Sequence, residues 1–140
     1  MTEHFHNPEP AAIKDLLGRV KTIAVVGLSA QPSRPSHKVA LAMQRFGFRI
    51  VPVRPGVNEV LGEKAYARLS DIPFPVDLAD VFRAAEFLPG IVEEVLQLAI
   101  PALWIQEGIV NEAAACRARE RGIFTVMDRC IWKEYVALQP

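Results

Sequence analysis

The chain has little of several things that would have named a function at once. It has only two cysteines among 140 residues, Cys116 and Cys130, and their separation matches no metal-ligand spacing and no disulfide-rich scaffold, so reduced thiols are expected. Lysine and arginine number 16 and aspartate and glutamate 16, which leaves no net charge to select nucleic acid or an anionic membrane surface. The longest apolar runs, Ile23 to Leu28 and Ala99 to Ile105, fall far short of the roughly 20 residues that a membrane helix needs. Met1-Thr2-Glu3-His4-Phe5-His6 carries no signal-peptide pattern, and a cytoplasmic location is expected.

What remains is an ordinary globular composition, 51% hydrophobic, of a length suited to one domain spanning residues 1–140 with a flexible stretch over 1–7. Asn7-Pro8, followed by Ile13, Leu16, Leu17 and Val20, predicts a capped amphipathic helix over residues 8–20. The next expected elements are a strand Thr22–Leu28, a helix from about Ser36 to Phe46 stopped by Gly47, and a strand Arg49–Val53, which together make a βαβ unit. Residues 54–77 are rich in turns, with only a short helix or half-turn around Lys64–Leu69. The alternation then resumes: strand Val76–Phe82, helix Pro89–Ala99, strand Ala102–Gln106, helix Asn111–Arg121, strand Ile123–Met127 and helix Ile131–Leu138. Strands apolar on both sides and alternating with helices predict an α/β fold, a single Rossmann-like three-layer sandwich around a mainly five-stranded parallel sheet.

Ligands of such sheets sit beyond the carboxyl ends of the strands, where strand order reverses. The first of those ends carries the most information. Thr22 to Leu28 is an apolar strand that runs through Gly27 into Ser29, Ser33, Arg34, Pro35 and Ser36 before a helix begins, an arrangement that aims free backbone N–H groups at an anion. A dinucleotide fingerprint would place glycines at the first, third and sixth positions of this turn, where the chain has Gly27, Ser29 and Pro32. Only the first is glycine. The acidic residue that would hold a ribose 2′-hydroxyl at the end of the second strand is replaced by Arg54. Arginine suits an additional ribose phosphate, on the 2′ oxygen in NADP or the 3′ oxygen in coenzyme A, and charge alone does not separate the two.

Several segments in order resemble a known family, the small stand-alone CoA-binding proteins, which are similar to the amino-terminal domain of the succinyl-CoA synthetase α subunit. They are Ile23 to Ser29 with Pro32 to Ser36; Gly47 to Pro55; Leu61 to Tyr66; Asp71 to Pro73; Val76-Asp77 with Asp80 to Arg83; Leu103 to Ile109; and Val126 to Cys130. The resemblance implies a CoA or acyl-CoA ligand whose adenosine diphosphate part crosses the first two strand ends. Gly27 and Ser29 then line the pyrophosphate turn, Ser33, Arg34 and Ser36 contact phosphate, Val53 and Pro55 flank the adenine, and Phe82 with Arg83 closes the third loop. Two departures stand out: the family usually has asparagine where this chain has Arg54, and a second basic residue where it has Ala84.

No catalytic group is expected. His4 and His6 fall in the terminus and lack further metal ligands, and His37 lies in the first turn of a helix. Asp77 marks a strand's start, which leaves Asp128 alone at the ligand edge, and Trp104 and Trp132 read as core or interface aromatics. Cys130 follows Asp128-Arg129 at that edge, where a mixed disulfide with the CoA thiol is conceivable. The rivals are an NADP-dependent reductase and an adaptor docking onto an acyl-CoA enzyme. The reductase would need a tyrosine–lysine pair, and Tyr66 and Lys64, two residues apart, would not share a helix face. Homo-oligomerisation is left open.

Overall fold

The computed structural model describes residues 4–139. Five parallel strands form the central sheet: β1 (Thr22–Val26), β2 (Arg49–Val53), β5 (Leu78–Val81), β6 (Ala102–Ile105) and β7 (Phe124–Met127), in the spatial order β2-β1-β5-β6-β7. Helices α1 (Pro10–Arg19), α2 (Pro35–Arg45), α3 (Leu88–Gln97), α4 (Glu112–Glu120) and α5 (Ile131–Leu138) alternate with them. Because side chains alternate along a strand, each strand feeds two cores. Ile23, Val25, Leu78, Trp104 and Val126 pack with α1, α2 and α5, whereas Ala24, Val26, Val81, Leu103 and Ile105 pack with α3 and α4. The expected three-layer sandwich is therefore present.

Strand order reverses between β1 and β5. The chain leaves β1 toward β2 on one side and returns to place β5 on the other, which opens a crevice at the carboxyl ends of these two strands. At the opposite edge the start of the same pair is fastened by Asp77, whose Oδ2 accepts from the N–H groups of Lys21 (3.0 Å) and Thr22 (2.9 Å). That is the strand-start position its sequence suggested.

Two local expectations are corrected. The short helix or half-turn placed around Lys64–Leu69 is instead an antiparallel hairpin, β3 (Glu59–Val60) with β4 (Glu63–Lys64), followed by a single 3₁₀ turn at Leu69–Asp71. The physical reason is the pair Leu61-Gly62, at φ 57° and 76°, which forms the two-residue left-handed turn that matches strand twist. In extended chain, residues two apart share a side, so the Lys64 ammonium does meet the Tyr66 ring, 5.3 Å from its centroid.

The second correction concerns Asn7, expected as the cap of α1, whose N-cap is Glu9. The Asn7 amide instead pairs with the edge strand β7, donating to the carbonyl of Met127 (2.9 Å) and accepting from the Met127 N–H (2.8 Å). An edge strand leaves such groups unpaired, and an asparagine side chain supplies both complements. Phe5 packs against the α3/α4 core beside it, and His4 Nδ1 lies 3.5 Å from Glu112. Residues 1–3 lie outside the described residues.

Candidate functional site at the reversal of strand order

Gly27 ends β1. At φ +87° it adopts a conformation that other residues reach only with strain, and a Cβ added there would meet Arg83 Cδ at 3.0 Å and the Phe82 carbonyl oxygen at 3.2 Å. Its N–H donates to the Val53 carbonyl and the Phe82 N–H to the Val26 carbonyl, both at 2.9 Å. Three strand ends are thus drawn together around one glycine.

The turn that follows is built by two serines. The Ser29 N–H donates to Ser36 Oγ (3.0 Å), and the Gln31 N–H donates to Ser29 Oγ (3.1 Å). Each hydroxyl accepts one backbone donor and still has a proton that it can donate. Both serines are buried, so these protons are presented in a partly dehydrated place where a hydrogen bond counts for more. His37 Nδ1 lies 2.9 Å from the Ser29 carbonyl, which can only accept; Nδ1 therefore carries the proton and His37 braces the turn from behind.

Helix α2 begins immediately after, with Arg34 at its N-cap and Pro35 in its first turn. No side chain caps it; Pro35 has no N–H, and those of His37 and Lys38 donate to the Arg34 carbonyl (3.1 Å each), which leaves the Ser36 N–H and the positive end of the dipole at the hollow that Ser36 lines. Arg54 reaches back over the turn, its Nη1 3.4 Å from the Gly27 carbonyl. Gly27, Ser29, Gln31, Arg34, Ser36, Arg54 and Phe82 line one hollow of about 400 Å³ here.

A second, more apolar hollow of about 270 Å³ is lined by Val26, Val53, Pro55, Arg68, Arg83 and Phe87 among others. The Arg83 guanidinium lies 4.1 Å from the centre of the Phe87 ring, a cation–π stack that makes a flat wall. Arg83 also passes close to Gly27, so the apolar hollow that Arg83 lines lies beside the glycine that opens the first one. Of the residues singled out by sequence, nine are therefore gathered at one crevice, and Ser33, exposed in the turn, lines neither hollow. Gln31, Arg68 and Phe87 escaped sequence reasoning. Arg68 and Phe87 lie on connections whose path the hydrophobic pattern does not specify, and the spacing of Arg83 and Phe87 around a 3₁₀ turn was the one available signal.

Other conspicuous groups lie apart. Tyr66 and Lys64 line neither hollow. Larger hollows occur between the amino-terminal segment and Arg129, about 620 Å³, and around Phe74 and Leu98, about 460 Å³, and neither contains the serine turn. Asp80, between Val25 and Trp104 in the sheet, has an Oδ1 without a hydrogen-bond partner, and burial pushes its carboxyl well above the usual range, so the neutral acid is favoured. Trp104 is fully buried, its Nε1 donating to the Arg129 carbonyl (2.9 Å), whereas Trp132 is exposed. Among the described residues no group of three or more histidine, cysteine or acidic side chains could hold a metal ion, and no helix is long and apolar enough to cross a membrane.

Residues 21–136 match the family model described as CoA binding domain. The uncharacterized Bacillus subtilis protein YneT is 49% identical over 127 residues, which cover 91% of this chain and 94% of that protein. A Thermus thermophilus protein, cell-free ID.343, superposes with a TM-score of 0.90 at 37% identity, covering 94% of this chain and 100% of the other. ADP-forming acetate–CoA ligase II of Archaeoglobus fulgidus is 28% identical over 109 residues, which cover 76% of this chain but only 16% of the enzyme. The glycine-serine turn, the parallel sheet and the family match over residues 21–136 lead to one assignment: the chain belongs to the CoA-binding domain family, as a small protein like YneT homologous to the CoA-binding region of those ligases.

Proposed function

We propose that this protein binds coenzyme A or an acyl-CoA, with the adenosine diphosphate part held at the carboxyl ends of β1, β2 and β5. The observation that carries this reading is the pairing of two unlike hollows at the reversal of strand order. One holds two hydroxyl protons, a helix N-terminus and Arg34 and Arg54, which suits phosphates. The other is an apolar slot walled by Val53, Pro55 and the Arg83–Phe87 stack, which suits a purine ring. In this arrangement Ser29, Ser36 and the first turn of α2 take the pyrophosphate, and Arg34 and Arg54 are the candidates for the ribose 3′-phosphate. Ser33, at the rim of the turn, contacts phosphate only at its outer side.

The arrangement is a binding site, and no chemical step is assigned to it. Family membership favours CoA over NADP, the alternative that charge alone left standing. The test is a titration of isotope-labelled protein with CoA, followed by amide shifts. The expected shifts concentrate at Gly27, Ser29, Ser36, Val53 and Arg83; shifts confined to other parts of the chain would overturn the placement.

A second reading has its own support. The stretch similar to this chain makes up 16% of a much longer enzyme of Archaeoglobus fulgidus, ADP-forming acetate–CoA ligase II. This similarity supports a reading in which the chain docks onto an acyl-CoA enzyme, and co-purification of such an enzyme with the tagged full chain is its test.

A further inference from the structure

The apolar hollow beside Gly27 carries charges that the folded chain itself does not use. Its charged lining residues are Arg68, Arg83 and Glu94. The Arg83 guanidinium is laid on the Phe87 ring. Among the described residues neither Arg68 nor Glu94 forms an ion pair, with each other or with any other group, so two opposite charges border one hollow without closing it.

Glu93 supplies the contrast. It stands on the side of α3 that meets α4, where Arg117 donates to both of its carboxylate oxygens, the Nη2 bond being 2.8 Å long. Glu94 is turned the other way, onto a stripe with Phe87 and Ile91 at spacings of three and four residues. There it is half-buried. Gly90 lies on the same stripe and puts no side chain into the hollow, and nothing lies within 4 Å of a Cβ placed on it. A carboxylate drawn partly out of water without a partner is unfavourable, and a donor supplied by a ligand offsets that loss.

The walls of the hollow do not distinguish one ring from another. Val26, Val53, Pro55 and the Arg83–Phe87 stack offer apolar surface and a flat face, and every base has a π face to lay against them. Discrimination therefore falls to groups that meet the edge of the ring. A carboxylate only accepts and a guanidinium only donates. Adenine presents its N6 amine, a donor, next to N7, an acceptor, whereas a 6-oxopurine presents an acceptor oxygen where the amine was. One acceptor beside one donor fits the first edge, and in the second it sets two acceptors against each other.

We propose that Glu94 is the specificity-determining residue of this slot, its carboxylate accepting from the exocyclic amine of a 6-aminopurine while Arg68 donates to N7, so that the site takes an adenine nucleotide and rejects its 6-oxo counterpart. The inference rests on the placement of the adenosine diphosphate part proposed above and adds to it the residue that reads the base.

The experiment is calorimetric titration with CoA and with its deaminated analogue, which carries hypoxanthine on the same ribose, phosphates and pantetheine. The unmodified chain is expected to bind the analogue about tenfold or more weakly than CoA. Glu94→Gln, whose amide turns to accept from an amine or to donate to an oxygen, is expected to reduce that ratio to about threefold or less with an unchanged melting temperature. Arg68→Ala weakens both ligands alike, because N7 is common to both. Glu93→Gln, on the other side of α3, keeps the discrimination. Equal binding of the two ligands by the unmodified chain, or a preference that Glu94→Gln leaves intact, overturns the inference while CoA binding stands. No binding of CoA at all overturns the placement of the ligand, and this inference with it.

Discussion

The Ser29 N–H donates to Ser36 Oγ at 3.0 Å, fastening the turn after β1 to the first turn of α2 seven residues on. Both ends of the link are buried, so the serine hydroxyl replaces water as the acceptor for that backbone donor. Ser36→Ala therefore leaves a buried N–H unpaired. The expected loss is about 1–3 kcal/mol of stability, measured by urea unfolding, together with a several-fold weakening of CoA. Unchanged stability would mean that the turn is held by other contacts.

Gly27 cannot be exchanged cheaply. Gly27→Ala places a Cβ 3.0 Å from Arg83 Cδ and 3.2 Å from the Phe82 carbonyl oxygen while holding alanine at φ +87°. The left-handed conformation alone costs about 1–2 kcal/mol. Arg83 must also move off the turn, which disturbs its stack on Phe87. A melting temperature and CoA affinity both equal to those of the unmodified chain would contradict this geometry.

The two arginines are separable by ligand. If Arg34 grips the ribose 3′-phosphate, Arg34→Ala weakens CoA by about tenfold or more, the scale of a charge-assisted hydrogen bond, and leaves dephospho-CoA nearly unchanged. Equal losses for both ligands reassign it to the pyrophosphate. Arg54→Ala, compared in the same way, shows whether the guanidinium near the Gly27 carbonyl serves that phosphate too.

Asp80 makes stability depend on pH. Burial opposes its ionisation, so the folded chain holds the proton to higher pH than the unfolded chain does. The contribution of this group is complete below the unfolded value of about 3.9 and is lost as pH rises through the folded value. Relative to Asp80→Asn, which has no proton to lose, the unmodified chain should therefore lose stability as pH is raised from about 4 to 7. Parallel melting temperatures for the two proteins across that range would show that Asp80 titrates normally.

Much of the fold was legible because strands β1, β2, β5, β6 and β7 are short apolar runs separated by helical periodicity, and a parallel sheet covered on both faces is the arrangement that buries them. The failures are local and have local causes. Leu61-Gly62 specifies a hairpin through backbone conformation, which hydrophobic spacing does not report. Asn7 looked like a helix cap because asparagine before proline usually is one, but the unpaired edge of β7, 120 residues away, offered its amide two bonds at once. In the site, Gly27 was visible as the surviving first glycine of the dinucleotide fingerprint, Ser29 as a departure from it, and Arg34 and Ser36 as polar residues at the start of the helix that follows. Phe87 was not, because its place depends on how the Arg83 side chain folds over the turn.

Calorimetric titration of the folded full chain with CoA, acetyl-CoA, NADP and NAD tests CoA binding most directly. Saturable heat with CoA or acetyl-CoA, and none with NADP or NAD, is the expected result. Heat with NADP and none with either CoA species would contradict it and return the Gly27–Ser36 turn to the dinucleotide reading that its missing glycines argue against.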